Sequence, residues 1–211
     1  MCIIKNVEHK FINKSLSTTA QKLGGEYIHK WPLPDKILLR DEEYFVIIDT
    51  CPTAIGTMYI DCTRIMLYFV STDQFNFSIS NKDIFSKVFS VFYGPYIKTG
   101  YPQIDNSYLV RSNSYFKLRT LLSNPGIRLL IQKQPSIHLE IKSCNNLIKP
   151  GLTKHISLLY YESIGVIKNI DIIKEIILLY KEILTQLFIM GSISEELPKI
   201  KLSWLIDNNC I

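Results

Sequence analysis

The feature that most constrains this chain is a long apolar helix near its end. Between Ile170 and Met190, large apolar residues recur at helical spacing, and Asn169 and Gly191 are placed to cap and to end the helix. Such a helix extends about 30 Å. Its predicted apolar face comprises Ile173, Ile176, Ile177, Tyr180, Ile183, Leu184, Leu187 and Phe188. A face this wide needs a large surface to cover it, which predicts a sheet beneath the helix.

Segments rich in β-branched and aromatic residues supply the strands of that sheet. They are 36–39, 44–49, 57–60, 63–71, 75–80, 107–111, 137–141 and 155–162. Further helices are predicted at 17–23, at 83–92, after Asn113 and at Asn124-Pro125. Most strands follow one another along the chain, without regular strand–helix–strand alternation. The sequence therefore predicts an α+β fold, a largely antiparallel sheet with helices packed on one face and the long C-terminal helix across it.

Two strands show a period of two. Phe75, Phe77 and Ile79 alternate with polar residues, which predicts a half-buried strand. In 137–141 the polar phase includes His138, so we expect it to face solvent or a cross-strand partner. By contrast, 65–70 is apolar throughout and is typical of a central strand covered on both faces.

Length and patterning predict one α+β domain over residues 1–211, with a peripheral N-terminal segment at 1–30 and a tail at 198–211. No segment has the uninterrupted apolar run of a membrane span or of a signal peptide. The five cysteines have neither disulfide-framework nor zinc spacing, which predicts reduced thiols and a cytoplasmic protein. Cys62 should be mostly buried, and Cys51, at the end of its strand, structural.

The charge pattern argues against a dedicated nucleic-acid domain. Lys and Arg number 24 against 19 Asp and Glu, a formal net charge of +5, but the cations are scattered along the chain. Weak binding to nucleic acid or to an anionic surface stays an alternative. The acidic run at 41–43 is interpreted as a hairpin tip, since a calcium site needs six or more oxygens in a defined loop.

Motifs for catalysis are missing from the sequence. It contains no glycine-rich phosphate loop, no G-x-S-x-G turn and no pair of histidines at metal-ligand spacing. The sequence therefore predicts no catalytic residue, no cofactor and no metal site.

One loop is a candidate for function. Residues 97–105 join the predicted helix at 83–92 to the strand at 107–111, and the candidate residues are Lys98, Gly100, Tyr101, Pro102 and Asp105. Gly100 and Pro102 shape a turn, and Asp105 is expected to accept hydrogen bonds from nearby backbone N–H groups. Two alternatives remain open, in which Asp105 and Lys98 line a site, or in which Tyr93, Tyr96 and Tyr101 stack on a flat ligand.

This loop also carries a resemblance. The order Phe75-Asn76-Phe77-Ser78-Ile79, Asp83 to Lys87, Ile97 to Asp105, Tyr108 to Asn113, Leu121-Leu122 and Ile127-Arg128 resembles a family of uncharacterised bacterial domains. That family carries an "i-iGdPeFD--f-vksn" motif, here centred on Gly100, Pro102, Asp105, Ser112 and Asn113. The acidic residues beside the motif proline are Tyr101 and Gln103 in this chain. The resemblance implies no activity and transfers no catalytic residues.

Three functions follow from these observations, in order of preference. The first is a non-enzymatic interaction or regulatory domain that binds a protein partner or a small ligand. The second is an enzyme with a site near Gly100–Asp105, and the third is the weak anionic-surface binder. A polar pocket with converging ionisable groups or a flat apolar patch at the motif loop would separate them.

Overall fold

The computed structural model describes residues 16–41, 44–55, 58–82, 95–144, 156–198, 200 and 203. The predicted helix at 83–92, Tyr93, residues 42 and 43 of the acidic run and most of the predicted tail at 198–211 lie outside the described residues.

Eight strands of the described chain form one antiparallel sheet. They are β1 (Glu26–Ile28), β2 (Lys36–Asp41), β3 (Tyr44–Ile55), β4 (Met58–Val70), β5 (Phe77–Asn81), β6 (Tyr108–Ser112), β7 (His138–Ser143) and β8 (Ile156–Ile164). Their order across the sheet is β1-β2-β3-β4-β8-β7-β5-β6. The central β4 is buried on both faces from Ile65 to Val70, as its sequence predicts.

The helices lie on one face of this sheet. Helix α1 spans residues 16–23, and it is followed by α2 (Pro102–Ser107), α3 (Tyr115–Ser123), α4 (Pro125–Lys133) and α5 (Ile170–Ile189). All five contribute buried side chains to one apolar cluster with the strands. In α5, the Tyr180 hydroxyl donates a hydrogen bond to the carbonyl of Ile65 at 2.7 Å, which ties the helix to the middle of β4. The predicted α+β fold is confirmed.

The helix boundaries follow local hydrogen bonds. The side chain of Asn169 accepts from the N–H of Asp171 at the start of α5, and Gly191 adopts a φ of +67° after its end. Asn124 accepts from the N–H groups of Gly126 and Ile127 to begin α4, as predicted. Asn113 was expected to cap α3, but Ser114 is the cap.

Two details of the sequence prediction are wrong. The segments 44–49, 57–60 and 63–71 belong to two long strands, β3 and β4, so Cys51 lies inside β3 rather than at its end. The strand at 75–80 is not half-buried, because Ser78 and Ser80 on its polar phase are buried as well. A second apolar cluster on the opposite face, which includes Ile47 and Met66, shows that both faces of the sheet are covered.

The apolar face of α5 also differs in part from the predicted one. Leu179 is buried, whereas Phe188 is exposed and Ile177 is only partly buried.

Leu16 and Ala20 of α1 pack into the same cluster as α5, and β1 pairs with β2 at the edge of the sheet. Within the described part of the chain, no helix is long and apolar enough to cross a membrane.

Candidate functional site

Asp105 lies in the first turn of α2 and holds the motif loop together. Its Oδ1 accepts from the backbone N–H of Thr99 at 2.7 Å and from the Thr99 hydroxyl at 2.8 Å, and its Oδ2 accepts from the N–H of Gly100 at 2.9 Å. Gly100 has a φ of +84°, a conformation that side chains other than glycine rarely adopt. Burial raises the pKa of Asp105, but these hydrogen bonds outweigh it and the pKa is lowered. Asp105 therefore accepts backbone hydrogen bonds, as the sequence predicts.

Replacement of Asp105 by asparagine tests this role. The variant keeps one acceptor oxygen and loses the charge and the acceptor for Gly100, so we expect a loss of about 1 kcal/mol in unfolding free energy. Because the pKa of Asp105 is lowered in the folded state, its contribution exists at neutral pH and disappears as the pH falls below the ordinary aspartate range. Urea unfolding at neutral pH measures the loss, and equal stability of the two proteins would contradict the structural role.

Two aromatic residues, Tyr101 of the motif loop and Tyr96 just before it, are each stacked on an arginine. The guanidinium of Arg111 lies 4.3 Å from the ring centroid of Tyr96, and its Nη2 donates to the Tyr96 hydroxyl at 2.7 Å. The guanidinium of Arg128 lies 4.4 Å from the ring of Tyr101. Both rings thus have intramolecular partners, while Lys98 and Pro102 are exposed.

A cleft of about 350 Å³ opens between the motif loop and the sheet. Its polar wall includes Arg111 of β6, Ser78 of β5 and Glu140 of β7, and Pro95 and Ile97 also line it. In the register of the sheet, Arg111 pairs with Ser78 and Ser78 pairs with Glu140, so the three side chains form one row across three adjacent strands. The smallest of the three stands in the middle, which leaves space above it.

Ser78 lies at the floor of this cleft. The residue is 8% exposed, and no hydrogen bond to its Oγ is found in the described part of the structure. Hydroxyls that face an open cleft are ordinarily hydrogen-bonded to water. The hydroxyl of Ser78 is therefore available to a bound molecule.

Glu140 is buried and ionised beside the cleft. Its Oε1 lies 2.9 Å from the ammonium of Lys142 and 3.6 Å from Nε2 of His138. Burial raises the pKa of Glu140, but the neighbouring His138 and Lys142 outweigh it and lower the pKa to about 2. The other ring nitrogen of His138, Nδ1, lies 2.7 Å from the hydroxyl of Ser80. Of the two expectations for His138, the cross-strand partner is confirmed and exposure to solvent is wrong.

The low pKa of Glu140 has a measurable consequence for stability. The pKa falls from an ordinary 4.5 to about 2, so the stabilisation is complete above pH 4.5 and is lost as the pH falls towards 2. Between pH 5 and pH 3 we expect the wild type to lose about 2 kcal/mol more than a Glu140→Gln variant. Urea unfolding at both pH values measures this difference, and parallel losses would show that Glu140 titrates normally.

A second row of polar side chains crosses the same face of the sheet. Lys36, Asp49, Arg64, Glu162 and His138 are successive cross-strand neighbours on β2, β3, β4, β8 and β7, and we call them the charged row. All five are buried. Arg64 donates to both oxygens of Asp49 at 2.6 Å, an arrangement with two parallel hydrogen bonds.

Glu162 of the charged row accepts hydrogen bonds from two residues outside the row. Its Oε1 accepts from the hydroxyl of Thr53 at 2.9 Å, and its Oε2 accepts from the hydroxyl of Tyr160 at 2.7 Å. Tyr160 in turn carries the ammonium of Lys142 over its ring, 4.3 Å from the centroid. Hydrogen bonds and ring contacts therefore link the charged row to Glu140 at the cleft.

Sequence reasoning missed both rows because each residue was taken singly. A signal was present, since Asp49 and Arg64 have opposite charge and stand equally far from the turn that joins the strands.

The pairing of β3 with β4 also places Cys51 opposite Cys62. Both are free thiols, as is Cys144. Cys62 is buried as predicted. This burial is the largest cause of the rise in the pKa of its thiol to about 11. Among the described residues, no cluster of His, Cys, Asp or Glu has the arrangement of a metal site.

The chain was compared with known families, curated proteins and solved structures. No family model, no curated protein and no solved structure matches the chain. The resemblance to the uncharacterised bacterial family stays a prediction from the motif loop.

Proposed function

We propose that this chain is a non-enzymatic binding domain that holds a small polar ligand in the cleft between the motif loop and the sheet. The observation that carries the proposal is the cleft itself, in which the hydroxyl of Ser78 lies between the side chains of Arg111 and Glu140. Protein sites for small molecules combine apolar walls with a few converging polar groups, and the cleft has both.

Two observations favour this function over the alternatives. Both carboxylate oxygens of Asp105 are occupied by Thr99 and Gly100, which supports a structural role rather than an acid–base role at the motif loop. Several basic residues of the described chain are held in ion pairs, which reduces the charge available for nucleic acid. These pairs are Arg64–Asp49, Lys117–Asp73, Lys133–Glu175 and Lys142–Glu140.

A ligand-observed NMR screen tests the proposal. Pools of amino acids, small carboxylates, sugar phosphates and nucleosides are mixed with the wild type and with Ser78→Met, which fills the floor of the cleft. The matched control is Ser123→Met, the same substitution at an exposed position of α3. We expect at least one pool to bind the wild type and Ser123→Met but not Ser78→Met.

Two results would overturn the proposal. One is a wild type that binds no pool, and the other is binding that persists in a folded Ser78→Met protein. Thermal denaturation establishes that each variant is folded, and Ser78→Val, which adds less volume, replaces Ser78→Met if that protein does not fold.

A further inference from the structure

Two cysteines face each other across the hairpin formed by β3 and β4. Cys51 of β3 and Cys62 of β4 are direct cross-strand neighbours, so their side chains lie on the same face of the sheet. Both are free thiols. Cys51 is partly exposed, whereas Cys62 is fully buried. Their register makes this pair a candidate for a disulfide across the hairpin.

Backbone hydrogen bonds around Cys62 fix the kind of cross-strand pair that it forms. The N–H of Thr63 donates to the carbonyl of Gly165 at 3.1 Å, and the N–H of Gly165 donates to the carbonyl of Asp61 at 2.8 Å. Because neighbouring residues of a strand direct their polar backbone groups to opposite sides, those of Cys62 point towards Cys51. Hydrogen-bonded pairs of this kind have Cα atoms about 5.5 Å apart, which is within the range found in disulfides.

Cys51 lies where β3 can move. Strand β2 begins at Lys36, which pairs with Asp49 of β3, so β2 does not reach Cys51. A disulfide needs Cβ atoms about 3.8 Å apart, which is closer than in a hydrogen-bonded pair and requires a shift on the order of 1 Å. Since β2 does not restrain β3 at this point, β3 can make the shift. The resulting bridge is strained, and strained disulfides are readily reduced.

We infer that Cys51 and Cys62 are a redox modification site, which forms a reversible disulfide when the protein meets a low-molecular-weight disulfide such as oxidised glutathione. The thiolate of Cys51 attacks one sulfur of oxidised glutathione, which releases one glutathione thiolate and leaves the other glutathione bonded to Cys51 Sγ. The thiolate of Cys62 then attacks Cys51 Sγ and releases the second glutathione thiolate. The two released thiolates take up the two protons that the cysteines lose, so one disulfide is reduced for each one formed. This inference is independent of the proposed function.

The surroundings of the two thiols determine how fast the bridge forms. Burial is the largest cause that raises the pKa of Cys51, and neighbouring carboxylates raise it further, while Arg64 lowers it. These carboxylates are Asp49, Glu162 and Asp61. Burial is also the largest cause that raises the pKa of Cys62 to about 11. Because only the thiolate attacks, the bridge should form about tenfold faster at pH 8 than at pH 7.

Mass spectrometry of the cleaved protein tests the inference. The folded wild type is incubated with excess oxidised glutathione, its remaining thiols are alkylated, and it is digested with trypsin and cleaved at Met58, which separates the two cysteines. We expect the fragments that carry Cys51 and Cys62 to be linked, and reduced glutathione to return both residues to thiols. A wild type in which the two fragments stay unlinked, or a bridge that reduced glutathione does not open, would overturn the inference.

Two variants test the order of attack. In Cys62→Ser, Cys51 should stop at the mixed disulfide with glutathione, whereas in Cys51→Ser the buried Cys62 should remain a thiol. Cys144→Ser, which removes another buried thiol, is the control and should leave the bridge unchanged. Uptake of glutathione by Cys62 in folded Cys51→Ser, as fast as by Cys51 in Cys62→Ser, would contradict this order. Circular dichroism establishes that each variant is folded, and the result for the wild type decides the inference if a variant is not.

Discussion

Replacement of Ile176 by aspartate is expected to unfold the protein. Ile176 is fully buried in α5 and packs in the cluster that joins the helices to the sheet. The substitution loses about 1.5–3 kcal/mol of apolar burial. It also places a carboxylate in an apolar environment, which costs several kcal/mol more. Domains of this size are stable by about 5–15 kcal/mol, so the sum is a large part of the total.

Circular dichroism and thermal denaturation measure this effect. The matched control is Leu178→Asp, which makes a similar change on the same helix at a position that is 48% exposed. We expect the control to stay folded with a melting temperature near that of the wild type. A folded Ile176→Asp protein with an unchanged melting temperature would show that α5 does not cover the sheet as described.

Replacement of Asp49 by alanine is expected to cost about 3–5 kcal/mol in unfolding free energy. Asp49 is fully buried and binds the guanidinium of Arg64 through two hydrogen bonds. Its removal leaves a buried positive charge without its carboxylate. Because burial of both charges is itself costly, removal of both should be far less harmful than removal of one.

Urea unfolding of three proteins separates these terms. They are the wild type, Asp49→Ala and the double variant Asp49→Leu with Arg64→Leu. We expect the double variant to recover most of the stability that Asp49→Ala loses. A single variant within 1 kcal/mol of the wild type, or a double variant as unstable as the single one, would contradict the described pair.

The fold class and the local caps could be predicted from the sequence because they depend on short-range patterns. The spacing of apolar residues in α5, and the asparagines before α4 and α5, are signals contained within a few residues. Helix α2 was not predicted, since Pro102–Ser107 is only six residues long and has no apolar periodicity. Its sequence differs little from that of a turn.

The candidate site could be predicted only in part. For the motif loop, an ordered turn held by Asp105 was predicted correctly, because glycine, proline and aspartate are typical of such turns. Ser78, Arg111 and Glu140 belong to three strands whose order in the sheet, β7-β5-β6, is not the order along the chain. These three side chains lie side by side because strands that are distant in sequence pair with one another. The alternation of polar and apolar residues within one strand does not indicate which strands pair with it.

The burial of polar residues on the second face was missed for a related reason. An alternating strand predicts one wet face, but His138 and Glu140 are buried because that face of the sheet is covered too. His138 contacts Ser80 on the neighbouring strand, and Glu140 pairs with Lys142 on its own strand. The alternation of polar and apolar residues along a strand indicates which residues share a face of the sheet. It does not indicate whether that face is exposed to solvent.

The most direct test of the central claim is to locate a bound probe on the protein. The backbone amide signals of ¹⁵N-labelled protein are followed by NMR during titration with each pool of the ligand screen. Binding in the cleft predicts shifts centred on Ser78, Arg111 and Glu140, with little change along α5. Shifts centred on another part of the molecule, or no shifts with any pool at millimolar concentration, would contradict the account.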